Sequence, residues 1–431
     1  MRSPALRAPL RRPPFRRLAL SYAVNELGDW LGIVALSVLV FELTESAFAT
    51  TALFLGTGFL PALLTPLLVA RVERPPPRYV LPTIYAGEAA AFGALALLAD
   101  HFSLAAVVAV ATLDGTLALT ARALTRAVAA AMLQEEGELR AGNAVLNIAF
   151  TGGAAVGPAV AGAVVAVLGV QSALLLDAAS FYVIAVILFT GGPLPQTQPE
   201  PGHMVARLRA GVAYIRGHPA LGRLLAAQAA AFVFFAAVLP VEVIYAKETL
   251  GAGDTGYGLL LGSWGAGMVS GSIVFAALRR AALPVLLFFS TLAVGAGYLG
   301  MAAAPTLPLA CAAAALGGAG NGVQWVALVS AVQDLTRASM QARVMSVLES
   351  SGAAMPGIGF VIGGLIAATV GTRATFLAAG AGVLAIVAIF TPLLGNAWKS
   401  AESEARREES SARPRDLDAD DEIMVELIPR G

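Results

Sequence analysis

Two carboxylic acids lie inside the first long apolar segment of this chain, residues 18–41. A charged carboxylate at the centre of a membrane-spanning helix costs about 2.5–3.5 kcal/mol on insertion scales. Such groups therefore face a protein interior or a water-filled cavity. At helical spacing Glu26 and Asp29 share one face with Tyr22 and Asn25. The spacing predicts a polar face on an otherwise apolar helix.

The chemistry that suits this face is proton exchange. Burial favours the neutral form of a carboxyl group, and two acids one helical turn apart disfavour ionisation of both. We expect Glu26 and Asp29 to bind protons as a pair. Asp114, in the middle of the fourth apolar segment, is the third predicted proton-coupling residue. Two alternatives stay open: Asp29 fixes the rotation of its helix by a hydrogen bond, and Asp114 pairs with a Ser, Thr or Arg nearby.

Other polar residues within apolar segments are candidates for the wall of the same cavity. Asn321 and Gln324 are spaced i, i+3, and Trp325 beside them either stacks on an aromatic or lactone ring or simply packs. Glu242 is also a candidate in the second half, with the alternative that it is simply solvated, because it lies close to the outer end of its segment. An acidic wall and a neutral wall together suit a cationic or large amphipathic substrate. The predicted substrate-cavity residues are Tyr22, Asn25, Asn147, Gln228, Asn321, Gln324 and Trp325.

Composition restricts the class of protein. The 431 residues are 58% hydrophobic and 13% charged, with a mean hydropathy of +0.76, whereas soluble proteins carry about 25% charged residues. Net charge is zero, so no nucleic-acid partner is expected. One cysteine and three scattered histidines predict neither a disulfide within the chain nor a metal site, and we expect no cofactor. GxxxxGK[ST], HExxH and GxSxG motifs are absent, so neither an enzyme nor direct use of ATP is expected.

Apolar runs of about 20 residues define the membrane topology. Of the 28 Lys and Arg residues, all but Lys247 and Arg373 fall on one side if the N-terminus is cytoplasmic. The positive-inside rule then predicts an even number of spans with both termini cytoplasmic, in the cell inner (plasma) membrane, and a first span that is retained. The runs are 18–41, 47–69, 80–99, 103–124, 143–168, 171–190, 221–245, 256–278, 282–302, 306–330, 344–370 and 372–395.

The twelve spans divide into two halves of six. A polar linker begins GGPLPQTQPEPG and continues as ARLRAGVAYIRGHP, which predicts a short amphipathic helix. GPAVAGAVVAVLG in the fifth span aligns without gaps on GFVIGGLIAATVG in the eleventh, as expected for a duplicated unit. The predicted units are a basic N-terminus, a first half, the linker, a second half and a disordered cytoplasmic tail, at 1–17, 18–190, 191–220, 221–395 and 396–431.

Several stretches resemble one transporter family. They include FRRLALSYAVNELGDWLGIVALSVLVFELTESA, LRAGNAVLNIAFTGGAAVGPAVAGAVVAVLG, LLLDAASFYVIAVILF, LPVEVIYAKETLGAGDTGYGLLLGSWGAGMVSG and ALVSAVQDLTRASMQARVMSV. The sequence resembles a major facilitator superfamily transporter. Within it, the sequence is similar to the drug:proton antiporter branch with macrolide-efflux proteins and the enterobactin exporter. The resemblance implies an all-α polytopic membrane protein of twelve transmembrane helices in two six-helix halves.

The resemblance also implies roles for individual residues. The family's Gly-x-x-x-Asp-Arg loop appears here as LLVARVERPPPRYV, with Arg71 at the Arg position but Ala70 at the Asp position. A peripheral third span makes Glu88 a weak cavity candidate, and Asp177 is interpreted as structural. Arg122 and Arg126 are explained by snorkelling or by gating. The predicted gating or cytoplasmic-latch residues are Arg71, Arg126, Arg280 and Arg343, and the predicted helix-bend residues are Gly157, Pro158 and Gly162.

The sequence thus predicts a secondary active transporter, a monomer in the lipid bilayer. We expect it to export a small hydrophobic or amphipathic compound, drug-like or macrolide-like, by proton antiport with alternating access. A siderophore or lipid exporter of the same fold is one alternative. A transport-inactive membrane sensor or partner protein is another, and a membrane-embedded enzyme is the weakest.

Overall fold

The structure is a computed structural model that describes residues 8–72, 75–133, 138–192, 194–195, 204–278, 281–337 and 340–412. Twelve helical spans, α1 to α12, follow one another along the chain. Helix Leu139–Thr190 contains two of them, α5 (139–168) and α6 (170–190), because Gly169 has a φ of 79° and interrupts the helix. Helices α2 and α7 each contain a π-helical segment, Leu55–Phe59 and Tyr245–Thr249. The other bounds are α1 Pro13–Thr44, α2 Ala47–Phe54 and Leu60–Val72, α3 Pro77–Asp100, α4 Leu104–Leu133, α7 Pro219–Ile244, α8 Gly253–Ala277, α9 Leu283–Ala303, α10 Leu307–Asp334, α11 Gln341–Thr369 and α12 Thr372–Ala412.

Each predicted span corresponds to a helix, and the described residues contain no strand. Ten helical stretches are long and apolar enough to cross a membrane, and one of these, Val156–Thr190, includes the interruption at Gly169. Helix α10 is not among the ten. Its sequence is rich in glycine and alanine and includes Asn321 and Gln324, so its hydropathy is lower although its length suffices.

The linker and the last helix refine the predicted units. Part of the linker forms the amphipathic helix Met204–Arg216, which packs against α7 and α11. Helix α12 continues to Ala412, so the first part of the predicted tail is helical. Residues 413–431 lie outside the described part of the chain.

Small residues allow close packing inside the first half. An added Cβ at Gly32 would lie 2.5 Å from the ring of Phe92, and one at Gly28 would collide with the carboxylate of Asp177. Asp177 is fully buried and accepts a hydrogen bond from Ser180 Oγ at 3.3 Å. These contacts hold α1 against α3 and α6 and support the structural interpretation of Asp177.

The two halves meet near the loops that follow the odd-numbered spans, which we call the far side; the N-terminus and the linker lie on the near side. The rings of Phe54 and Phe360 lie 5.6 Å apart across this junction. Gly162 of α5 abuts Gly258 of α8, where an added Cβ would lie 2.5 Å from the partner's Cα. Such contacts close the far side and correspond to an inward-facing transporter if the near side is cytoplasmic.

Candidate functional site

The predicted polar face of α1 is organised around an arginine from α4. Arg122 Nη2 donates to Asp29 Oδ2 at 2.9 Å and to Glu26 Oε2 at 3.3 Å. Its Nε lies 3.2 Å from Glu26 Oε1, which is ion-pair distance without hydrogen-bond alignment. Asn25 Nδ2 donates to Asp29 Oδ2 at 3.1 Å. We call Glu26, Asp29 and Arg122 the α1–α4 charge cluster.

Neighbouring groups fix the position of this cluster. Arg126, one turn after Arg122, donates from Nη2 to the Tyr22 hydroxyl at 3.4 Å. The guanidinium of Arg122 lies 5.5 Å from the centre of the Phe150 ring on α5. An added Cβ at Gly153 would lie 3.0 Å from Glu26 Cβ, so α5 passes close behind the acid. The cluster therefore connects α1, α4 and α5.

The cluster has an unequal charge count. Glu26 is 2% exposed, whereas Asp29 and Arg122 keep 25% and 28% of their side chains exposed. Two carboxylates share one guanidinium, and the other nearby cation, Arg126, is exposed and bonds to Tyr22, so full ionisation would leave excess negative charge beside the buried Glu26. A proton or a cationic group of a ligand would restore balance.

Snorkelling of Arg122, one of the two interpretations from sequence, is not what the structure shows. Its side chain is mostly buried and pairs with two acids 93 and 96 residues away in sequence. Sequence reasoning missed this partner for Glu26 and Asp29. The available signal was an arginine in the last turn of the predicted fourth span, 103–124, in a chain whose first span contains two embedded acids.

Two further acids of the first half are buried and form no ion pair within the described residues. Glu88 is fully buried, and neither of its carboxylate oxygens has a hydrogen-bond partner in the described residues. Asp114 likewise has a buried oxygen, Oδ1, without such a partner. The structure does not place Asp114 in the α1–α4 charge cluster. The predicted Ser, Thr or Arg partner of Asp114 is not found among its hydrogen bonds in the described residues.

Glu242 corrects an interpretation from sequence. The alternative from sequence was that it is solvated near the far end of α7, but it is 5% exposed. It lies close to Tyr257 and Tyr298, and its Oε2 atom has no hydrogen-bond partner in the described residues. The interpretation is wrong because α8 and α9 place aromatic rings over this end of α7.

The neutral cavity residues of the second half do not form one group. Gln228 and Gln324 line a cavity of about 390 Å³, whose walls come from α7, α9, α10 and α12. Asn321 is outside this lining. Trp325 is 44% exposed and lies on Phe232, with ring centres 6.5 Å apart. Tyr22, Asn25 and the exposed Asn147 belong to the other half.

The predicted latch arginines have partners in their own halves. Arg71 Nη1 lies 3.4 Å from the Leu67 carbonyl, Arg126 contacts Tyr22, and Arg343 Nη1 lies 3.5 Å from Met340 Sδ. Arg280 lies outside the described residues. The charged contact between halves is instead on the far side, where Lys247 Nζ lies 2.6 Å from Glu42 Oε1 and 2.7 Å from Asp254 Oδ1.

The predicted helix-bend residues lie where α5 touches other helices. An added Cβ at Gly157 would lie 2.8 Å from Trp30 of α1. The Pro158 carbonyl and Gly162 both face Gly258 of α8. The backbone leaves helical geometry at Gly169, between α5 and α6, and not at these residues.

Comparison with known proteins identifies the family. The family model described as transmembrane secretion effector, one of the major facilitator superfamily, matches residues 5–425. The chain belongs to this family. A search of curated protein sequences finds no match.

Solved structures share the fold of this family member. The nucleoside transporter NupG is 13% identical, with a TM-score of 0.68 over 89% of this chain and 99% of its own. A POT family transporter in complex with a thioalcohol-conjugated peptide is 12% identical, with a TM-score of 0.68 over 89% and 96%. A bacterial homolog of the human lysosomal transporter Spinster, inward-facing and occupied, is 14% identical, with a TM-score of 0.63 over 92% and 97%.

The protein is therefore a multi-pass membrane transporter of the major facilitator type, which acts on small molecules in a lipid bilayer. At this identity the solved structures show the fold alone. Among the described residues, no group of three or more His, Cys, Asp or Glu side chains is placed to hold a metal ion.

Proposed function

We propose that this transporter exports a hydrophobic or amphipathic compound in exchange for protons, and that the α1–α4 charge cluster is the coupling site. The observation that carries the proposal is the single guanidinium shared by two membrane-embedded carboxylates. The family description, which refers to secretion, supports the export direction.

The charge count of the α1–α4 charge cluster supports antiport, in which substrate and proton cross the membrane in opposite directions, rather than symport. In a site of low dielectric, one extra negative charge is unfavourable and is neutralised by one proton or by one cationic group of a substrate, but not by both together. A proton that binds from outside and leaves inside would vacate the cluster for substrate in the inward-facing state. Alternating occupancy of this kind produces antiport.

The substrate class rests on the contrast between the halves. The first half presents the charged cluster, and the second half presents uncharged aromatic surface such as the exposed Trp325, which lies on Phe232. A compound with a cationic or polar end and an apolar body matches both. Nucleosides and peptides appear in the names of structures with the same fold, so the fold does not choose the substrate.

The test uses purified protein in proteoliposomes that contain a pH-sensitive dye. A panel of lipophilic cations and macrolides is added, and at least one compound is expected to drive proton movement across the membrane. In Asp29→Asn, which cannot exchange a proton at this position, we expect coupled flux to fall at least tenfold while the protein remains folded.

Asp334→Asn is the matched control, because Asp334 is exposed at the end of α10, far along the chain from the cluster. Its coupled flux should equal that of the unmodified protein. Retained antiport in Asp29→Asn would refute the assignment of this residue. Transport of panel compounds without any proton movement would refute the antiport mechanism.

A further inference from the structure

A crevice on the outer surface of the second half separates the ends of two helices. Helices α9 and α12 touch toward the far side, where an added Cβ at Gly295 would lie 2.8 Å from Leu384, and one at Gly380 would lie 2.8 Å from Leu299. Toward the near side, side chains of both helices, including Phe288 of α9 and Phe390 of α12, line a gap. The gap is the cavity of about 390 Å³, a volume within the usual range for small-molecule sites.

The cavity faces the lipid. Phe289 at its rim is 62% exposed, and Thr391 on the opposite rim is also exposed. The rear wall is formed by buried residues of α7 and α10, including Leu224 and Leu328. Gln228 lies nine residues after the start of α7, which is about 13 Å at the helical rise of about 1.5 Å per residue. The cavity is therefore at the depth of acyl chains in the leaflet of the near side.

Its polar groups are amides with unused hydrogen-bonding capacity. Gln228 is only 9% exposed and makes no hydrogen bond within the described part of the chain. Gln324 Nε2 donates to Thr291 Oγ1 at 3.0 Å, which leaves the Gln324 carbonyl oxygen available. A mostly buried amide without a hydrogen-bond partner is unfavourable. A ligand that supplies both a donor and an acceptor would satisfy the free groups of both glutamines.

The charge of the cavity restricts the ligand. All the lining residues are uncharged. A charged ligand would lose its hydration without gaining a counter-ion there, whereas a neutral one would not. The other half, in contrast, carries the embedded charges of the α1–α4 charge cluster.

We propose that this crevice binds a neutral lipophilic molecule from the bilayer, one with a hydroxyl or amide group that can both donate to and accept from Gln228 and Gln324. The site is separate from the α1–α4 charge cluster and does not depend on proton antiport. Loss of antiport in Asp29→Asn would therefore leave binding here intact.

The test is photolabelling of the full chain in lipid nanodiscs with a diazirine-bearing monoacylglycerol, followed by peptide mass spectrometry. Labelling is expected on α9 and α12 near Phe289 and Thr391. Gln228→Leu keeps the volume but removes the amide, so labelling should fall at least fivefold. A diazirine-bearing alkane without a polar group should label both proteins equally weakly.

A matched pair of substitutions tests whether the ligand occupies the volume of the cavity. Ala227→Phe fills the cavity, because Ala227 is part of its lining, and labelling should be lost. Ala226→Phe adds the same ring at an exposed neighbouring position outside the lining and should label normally. Equal labelling of these two variants, or undiminished labelling of Gln228→Leu, would overturn the proposal.

A second arm identifies the source of the ligand. Native mass spectrometry of protein extracted without additives should detect a bound neutral lipid if the membrane supplies the ligand. Binding only after addition of testosterone, a neutral lipophilic alcohol, would indicate a dissolved compound as the source and would overturn the assignment to a bilayer lipid. Binding of neither molecule would contradict the site itself.

Discussion

At the scale of the residue, Arg122 of the α1–α4 charge cluster stabilises the two membrane-embedded acids, Glu26 and Asp29. Removal of one member of a buried ion pair leaves an uncompensated charge, with a cost of up to about 3–5 kcal/mol. Arg122 is 28% exposed, which lowers this cost. The guanidinium nevertheless contacts both carboxylates, so its loss affects two groups together.

We therefore predict that Arg122→Leu lowers the thermal unfolding temperature of the purified protein by several degrees. The loss should be partly recovered when Glu26→Gln and Asp29→Asn are added, because the triple variant has no unpaired charge in the cluster. Arg126→Leu is the control, since Arg126 is exposed and bonds only to the neutral Tyr22 hydroxyl. An equal shift for both single variants, or no recovery in the triple variant, would contradict the prediction.

At the scale of the element, helix α5 serves both halves. It packs behind Glu26 through Gly153 and meets α8 through Gly162, nine residues further along. Closure of the far side thus depends on two glycines, Gly162 and Gly258, whose backbones touch. A helix contact of this kind tolerates no side chain.

Gly162→Ala should shift the protein away from the state closed on the far side, because the new Cβ would lie 2.5 Å from Gly258 Cα. We expect transport to fall at least fivefold. Thr51 of α2 lies against Gly364 of α11 at the closed junction. Maleimide labelling from outside of Thr51→Cys should therefore increase in a Cys311→Ala background. Gly258→Ala should act in the same way from the opposite helix.

Gly152→Ala on the same helix is the matched control, since a Cβ there would meet nothing within 4 Å. Transport and labelling should equal those of the unmodified protein. If Gly162→Ala and Gly152→Ala behave alike, the glycine contact does not control closure.

The sequence predicted the helices better than their contacts. Hydropathy and the i, i+3, i+4, i+7 spacing define the spans and the polar face of α1, because both are local properties. The pairing of Arg122 with Asp29 joins residues 93 positions apart and depends on how α4 rotates against α1. The burial of Glu242 and the crevice around Gln228 likewise depend on how α8, α9 and α12 pack in the folded protein. No local sequence pattern specifies this packing.

At the scale of the whole molecule, the two basic residues on the far side have structural partners. Lys247 joins α7 to Glu42 of α1 and Asp254 of α8, and Arg373 Nη1 donates to the Ala302 carbonyl at 2.6 Å. Lys247 therefore connects the two halves, whereas Arg373 connects α12 to α9 within the second half. These contacts explain why two basic residues lie on the far side. The other basic residues are concentrated on the near side, and this asymmetry predicts that the near side is cytoplasmic.

This orientation predicts the labelling of two exposed positions in a Cys311→Ala background. His101→Cys lies in the loop between α3 and α4 on the far side, and Gly217→Cys lies between the linker helix and α7 on the near side. A membrane-impermeant maleimide should label the first in intact cells and the second only after permeabilisation. The opposite labelling pattern would show that the orientation in the membrane is inverted. The closed junction with Lys247 would then face the cytoplasm, and the structure would represent the outward-facing state.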